Sequence, residues 1–329
     1  MEESVILNKL NTLSDYLKTI YTTQKGHAYL LLSEDSITSK LVSKLFTLFF
    51  VCENKINDKP CFTCSSCQKV LHSTAVDVFT YPKKTSILVE DIKEIVSTSQ
   101  SKPIDFSYKV YILNDIHEAN ISAQNKLLKV LEEPPHNVIF ILTAPSEKSL
   151  LPTIVSRAKT ISIIRSKDEE LKNILHLEEE NLKKVNIAVE SSQGNLGKAI
   201  ANVKNEVYFT IYDFCLNLIS KMNHSKFILE YASAMEKNKK FLDIYLELLS
   251  EFFRDMLIIK EGLEQAVIHK SILMNLQKIS GEYSSVAILK ILEKIENAKK
   301  MILFNANSTN IIDTLLLSIL EVKYKWKNK

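Results

Sequence analysis

Glycine is scarce in this chain: five residues in 329, where ordinary usage of about 7% would supply roughly twenty-three. A function that needs a glycine-rich loop, with bare backbone N–H groups brought close to a phosphate, therefore has few places to sit. Arginine is scarcer still, with Arg157, Arg165 and Arg254 the three among 42 lysines and arginines. Any arginine inside a motif is informative for that reason. No run of about eighteen apolar residues occurs, so no membrane-spanning helix is predicted. The start, Met1-Glu2-Glu3-Ser4, lacks the basic-then-apolar order of a secretory signal, and a cytosolic location is expected. A net charge of +3 argues against a chain that binds nucleic acid along its whole surface.

What is present is an ordinary globular composition. The apolar fraction is 46%, enough for buried cores, and the length suits two or three domains. Residues 1–163 alternate helix-like and strand-like segments. Strands are predicted at 27–32, 77–81, 108–114, 137–143 and 159–163, with helices through Leu10, Leu13, Leu17 and Ile20 and at 37–52, 89–99, 122–133 and 152–158. Such alternation implies a parallel sheet covered on both faces. The helix at 122–133 must stop at Pro134-Pro135, because proline cannot donate to the helix and pushes its predecessor out of helical geometry. Beyond 164 the strand signal fades. Residues 167–204 read as charged helix with a Gly-Asn-Leu-Gly break at 194–197. From 205 onward every segment reads as helix, and Phe241, Tyr245, Leu248, Leu249 and Phe252 fall on one apolar face. Domain boundaries are expected near 164 and 205, giving 1–163, 164–204 and 205–329. The end, Lys323-Tyr324-Lys325-Trp326-Lys327-Asn328-Lys329, reads as a solvated helix end, the alternative being a DNA contact.

Four of the five cysteines form the run Cys52-x8-Cys61-x2-Cys64-x2-Cys67. Thiolates at this spacing can converge on one tetrahedral ion, and zinc in closed structural sites prefers four such ligands. A C-x2-C-x2-C run with a remote fourth cysteine can also hold an iron–sulfur cluster, and free thiols are the remaining alternative. Disulfides are disfavoured in a reducing cytosol. Cys215 stands alone in a helical region and reads as a small core residue.

The helix Leu127-Leu128-Lys129-Val130-Leu131-Glu132-Glu133-Pro134-Pro135, the strand after it, and Pro152-Thr153-Ile154-Val155-Ser156-Arg157 occur in an order that resembles the AAA+ core of bacterial DNA polymerase III clamp-loader subunits. The resemblance implies an α/β AAA+ core with a parallel sheet, a small helical lid domain and an all-α collar domain that joins subunits. It makes the cysteine run the zinc module these subunits insert after their first core helix. It also implies partners: gamma/tau-type and delta subunits, and through the complex a sliding clamp and primer-template DNA.

The same resemblance exposes a missing nucleotide site. After His27-Ala28-Tyr29-Leu30 the family carries a phosphate loop, G-x-x-x-x-G-K-[ST]. Here Ser33 and Thr38 stand at the glycines, Ser39 at the lysine and Lys40 at the hydroxyl. Glu34 and Asp35 add negative charge where phosphate oxygens would lie. Lys40 is a conceivable stand-in for the lysine. The family's Asp–Glu pair for Mg²⁺ and water is Asn114-Asp115, Thr143 fits the polar sensor position, and the second-domain arginine slot falls on Gly197, beside Lys198. No bound ATP is expected. Ser156-Arg157-Ala158 matches the family's Ser-Arg-Cys motif except at its last residue, and implies an arginine finger for a neighbouring subunit's ATP. The bland alternative is an arginine capping a helix C-terminus. The implied role is that of a non-hydrolysing stator. Rival readings are a diverged gamma/tau-type ATPase and a free-standing zinc-containing DNA-binding protein.

Overall fold

The structure, a computed structural model, describes residues 3–83, 85–177, 179–222, 225–304 and 306–326. Its backbone contacts divide into two compact units, residues 1–180 with 194–199, and residues 181–193 with 200–329.

Unit one is built on five strands, β1 (Ala28–Leu32), β2 (Val78–Tyr81), β3 (Lys109–Leu113), β4 (Val138–Ala144) and β5 (Lys159–Ser162). They form one sheet in the order β2-β3-β4-β1-β5, with every pairing parallel. Helices α1 (Glu3–Lys9), α2 (Asn11–Thr23), α3 (Ser36–Val51), α4 (Ser65–Leu71), α5 (Val89–Ser99), α6 (Ile121–Glu132), α7 (Pro152–Val155) and α8 (Asp168–Leu175) intervene or flank. Strands β3 and β4 are buried along their whole length, which explains their unbroken apolar runs: helices cover both faces of a parallel sheet. Leu30, Tyr111, Phe140 and Leu142 pack with Ile92, Ile95, Leu127 and Ile154 in one core. Helix α6 ends at Glu132, just ahead of the two prolines, and Pro152 opens α7 at a position where its missing N–H costs nothing.

A buried carboxylate sets the entry to β3. Asp77 is fully buried and accepts from the backbone N–H groups of Ile104, Asp105 and Phe106 at 2.5–3.0 Å. It fixes the loop between α5 and β3, while its own carbonyl accepts from Val110. Lys109, also buried, spends its ammonium on the carbonyls of Thr98 and Ser101 and on the Ser101 hydroxyl.

Unit two is helical: α9 (Leu182–Ser192), the greater part of α10 (Leu196–Lys204), α11 (Glu206–Lys221), α12 (Ser225–Lys237), α13 (Leu242–Lys260), α14 (Leu273–Ser280), α15 (Ser285–Leu303) and α16 (Ser308–Lys325). Tyr245, Leu248, Leu249 and Phe252 of α13 are buried as their spacing requires, and Cys215 is a core residue. Its core holds a polar cluster around the buried His269. His269 Nδ1 meets Asp255 Oδ2 at 2.9 Å, and His269 Nε2 lies 3.3 Å from Ser191 Oγ and 3.4 Å from Glu251 Oε2. Asp255 also accepts from the backbone of Ile268 and His269 and from Arg254. Serine, histidine and aspartate stand in the order of a hydrolytic triad, but all three are fully buried, so no substrate reaches them and the cluster is a structural pin.

The chain end matches the expected solvated helix tip at Tyr324 and Lys325, which are exposed, and departs from it at Lys323. Lys323 is buried, pairs with Glu282 at 2.8 Å and lies 4.2 Å from the ring centre of Tyr283. The long aliphatic stem packs inside while the ammonium finds an anion. Residues 327–329 lie outside the described residues.

Candidate nucleotide cleft, metal centre and arginine

The four cysteines converge. Cys52 is the C-cap of α3, Cys64 the N-cap of α4, and Cys67 lies in α4. All four Sγ atoms lie within 4.8 Å of one another, with Cys52 and Cys61 at 3.7 Å. A tetrahedral ion with metal–sulfur bonds of about 2.3 Å needs sulfurs about 3.8 Å apart, so the donor set fits such an ion. Burial pushes the Cys52 and Cys67 thiols up. Burial also acts against the Cys61 thiolate, but N–H donation from Cys64 and Thr63 outweighs it and lowers that thiol to about 6. Backbone N–H groups of Cys61, Cys64 and Cys67 point at the preceding sulfurs at 3.3–3.5 Å. They are oriented to stabilise thiolates.

A cleft of about 710 Å³ opens at the carboxyl ends of β1, β4 and β5, the usual ligand crevice of a parallel sheet. Leu13, Leu32, Ile163, Ile164 and Leu196 give it apolar walls. Its polar lining carries both signs, Glu34, Asp35 and Glu147 against Lys148 and Arg165: Glu34 pairs with Arg165 at 2.7 Å, and Asp35 sits at the N-terminus of α3. Asp35 Oδ1 accepts from the Thr38 N–H at 2.7 Å, as an N-cap does. The helix N-terminus that would receive a phosphate thus holds the chain's own carboxylate. Gly197 closes over it. Its N–H donates to Thr38 Oγ1 at 2.9 Å, and a Cβ at that position would fall 1.8 Å from Asp35 Oδ1. Asp35 Oδ2 is enclosed without a hydrogen-bond partner among the described residues.

The remaining loop positions are scattered. Ser39 turns inward and donates to the Asp35 carbonyl at 2.9 Å. Lys40 faces a second cavity of about 500 Å³, which Asn114 and Asp115 also line. It does not line the cleft beside Asp35. Asp115 holds a left-handed backbone conformation, φ 52°, and its N–H donates to the buried Thr143 hydroxyl at 2.9 Å. Asn195 caps α10 by accepting from Lys198 N at 2.9 Å.

Arg157 lies just past the short helix α7. Its Nη1 donates to the Thr153 carbonyl at 2.8 Å and to Ser156 Oγ at 3.3 Å, and its Nη2 pairs with Glu132 Oε1 at 2.5 Å. The side chain is folded back on its own helix end, and Ser156 and Arg157 act together there. Glu132 was not singled out by sequence reasoning. The cap at Asp35 carried a legible signal, a carboxylate one residue ahead of a helix.

The profile of the family described as "DNA polymerase III, delta subunit" matches residues 9–167. The delta' subunit of DNA polymerase III from Bacillus subtilis (strain 168) is 22% identical over 304 residues, 90% of this chain and 91% of that protein. Residues 9–167 belong to the DNA polymerase III clamp-loader family. The tau subunit of the same organism is 32% identical over 140 residues, 43% of this chain. This chain spans 25% of that subunit and 55% of a gamma subunit from Buchnera aphidicola. Among solved structures, a DNA polymerase III gamma subunit-related protein from Thermotoga maritima aligns over 94% of this chain and 99% of its own, at 19% identity and a TM-score of 0.49. Asp35 lies in the loop between β1 and α3, and the cysteine centre follows α3. No helix among the described residues is long and apolar enough to cross a membrane.

Proposed function

We propose that this chain is a delta-prime-type stator of the DNA polymerase III clamp loader. It binds no nucleotide productively, carries a structural zinc ion on Cys52, Cys61, Cys64 and Cys67, and supplies Arg157 to the ATP site of a gamma/tau-type neighbour. In this reading the complex, with a delta subunit at its other end, loads a sliding clamp onto primed DNA. The helical segment at 164–204 serves as the lid and residues 205–329 as the collar that joins the subunits. The observation that carries the reading is Asp35: an internal carboxylate, covered by Gly197, fills the anion position of α3. A second anion there meets like charge, and the motif's lysine position holds Ser39. Near-full-length similarity to a delta' subunit supports the same conclusion.

The higher local identity to a tau subunit favours one alternative, a diverged gamma/tau-type ATPase. Titration calorimetry with Mg-ATP separates the two. No binding in the micromolar range is expected, and micromolar binding with turnover lost in Lys40→Ala establishes the alternative. In the reconstituted complex, Arg157→Ala is expected to leave assembly intact. It should slow the completed neighbouring site by about 10³–10⁵, the contribution of arginine fingers in other phosphoryl-transfer systems. Unchanged ATPase and clamp loading would reduce Arg157 to a helix cap.

A further inference from the structure

The guanidinium on which this function depends is already engaged. Two of its partners, the Thr153 carbonyl and the Ser156 hydroxyl, are neutral and belong to the same helix end as Arg157 itself. Glu132 is different. It is anionic, and it is the last residue of α6, whose end is fixed by the two prolines that follow. A carboxylate and a phosphoryl group are both oxyanions with matching geometry for a guanidinium. They compete for the same donors.

We propose that Glu132 parks Arg157: it holds the guanidinium at the end of α6 until a phosphoryl group on an adjoining chain displaces the carboxylate. The carboxylate thereby sets how much nucleotide the adjoining site needs before it fires. This rests on the arginine-finger reading of Arg157. The strength of the pair suits a releasable catch. The side chains of Arg157 and Glu132 are 32% and 48% exposed, and an ion pair so open to water shifts an equilibrium by a factor of about five at most. A fully buried pair would hold the guanidinium too firmly to be released. The neutral partners on α7 keep the side chain aimed once the carboxylate has let go.

Glu132→Gln keeps the shape and removes the competing charge. In the full-length chain, nitrogen-15 spectra of the arginine side chains resolve three residues, with the Arg157 signal assigned by its loss in Arg157→Lys. Rotation of the Arg157 guanidinium is expected to be slowed in the wild type and faster in Glu132→Gln. In the complex with its ATP-hydrolysing neighbours, Glu132→Gln is expected to lower the half-saturating ATP concentration by about two- to fivefold at unchanged kcat. That effect should vanish when Arg157→Ala is present. Unaltered guanidinium rotation, an unchanged half-saturating concentration, or a fall that persists without Arg157 would each overturn the proposal while leaving the finger reading in place. If Arg157→Ala by itself leaves hydrolysis and loading untouched, the finger reading fails and the parking role fails with it.

Discussion

Substitution of Gly197 by alanine tests the contact between Gly197 and Asp35 most directly, because two opposing effects act on one atom. Gly197 is the second residue of α10. In a helix, replacing glycine by alanine ordinarily stabilises by up to about 1 kcal/mol. Here the new methyl would sit 1.8 Å from Asp35 Oδ1 and 2.5 Å from Asp35 Cγ, far inside contact distance. The Asp35 carboxylate must then swing away from the Thr38 N–H, and losing such a cap costs about 0.5–2 kcal/mol. The bond from Gly197 N to Thr38 Oγ1 is strained with it, at about 0.5–1.5 kcal/mol. The net expectation is a destabilisation of about 1–2 kcal/mol, opposite in sign to the helix-propensity effect. Asp35→Ala removes both the cap and the obstacle. In that background Gly197→Ala should be neutral or stabilising by up to about 1 kcal/mol, a coupling of about 2 kcal/mol between the two positions. Urea unfolding of the four proteins of this double-mutant cycle gives the energies, and hydrogen exchange of the α3 amides locates the change. Equal effects of Gly197→Ala in both backgrounds would refute the proposed contact between Gly197 and the capping carboxylate.

Three further expectations follow from other parts of the molecule. One metal ion per chain is expected by native mass spectrometry and elemental analysis, and any of Cys52, Cys61, Cys64 or Cys67 changed to serine should largely abolish it, since folding of such a centre and metal binding are coupled; iron in place of zinc would reject the assignment. The buried His269 should make unit two less stable in alkali. Burial alone would lower its pKa, but hydrogen bonds to Asp255 and Glu251 outweigh burial and raise it. Its contribution is therefore complete below about pH 6.5 and is lost as pH rises through the raised folded value. Unfolding monitored by Trp326, the single tryptophan, should show this decline in the wild type and lack it in His269→Gln; the same slope in both proteins would acquit His269. Lys323→Ala should destabilise unit two by about 1–3 kcal/mol, because it removes a buried stem and unpairs Glu282; a change below about 0.5 kcal/mol would restore the solvated-tip reading of the chain end.

The sequence by itself determined the strand–helix alternation, where α6 stops, the cysteine spacing and the loss of the phosphate loop. Those features depend on near neighbours: proline at 134 ends a helix whatever surrounds it, an apolar run such as residues 138–144 marks a buried strand, and serine at 39 cannot supply a lysine's charge. The residue types at 33, 38, 39 and 114 by themselves depart from the glycine, lysine and aspartate expected of a nucleotide site. Only the tertiary structure decided what fills the break. Asp35 and Gly197 are far apart in the chain and meet through packing, so the glycine's reason, room for a carboxylate, leaves no local trace. The same holds for Arg157 on Glu132, for Asp77 gathering three N–H groups from the 104–106 loop, and for His269 held between Glu251, Asp255 and Ser191. Local sequence sets backbone preference and hydrophobic period. Which charged groups share one small volume is fixed only when the layers close, because the partners come from distant parts of the chain.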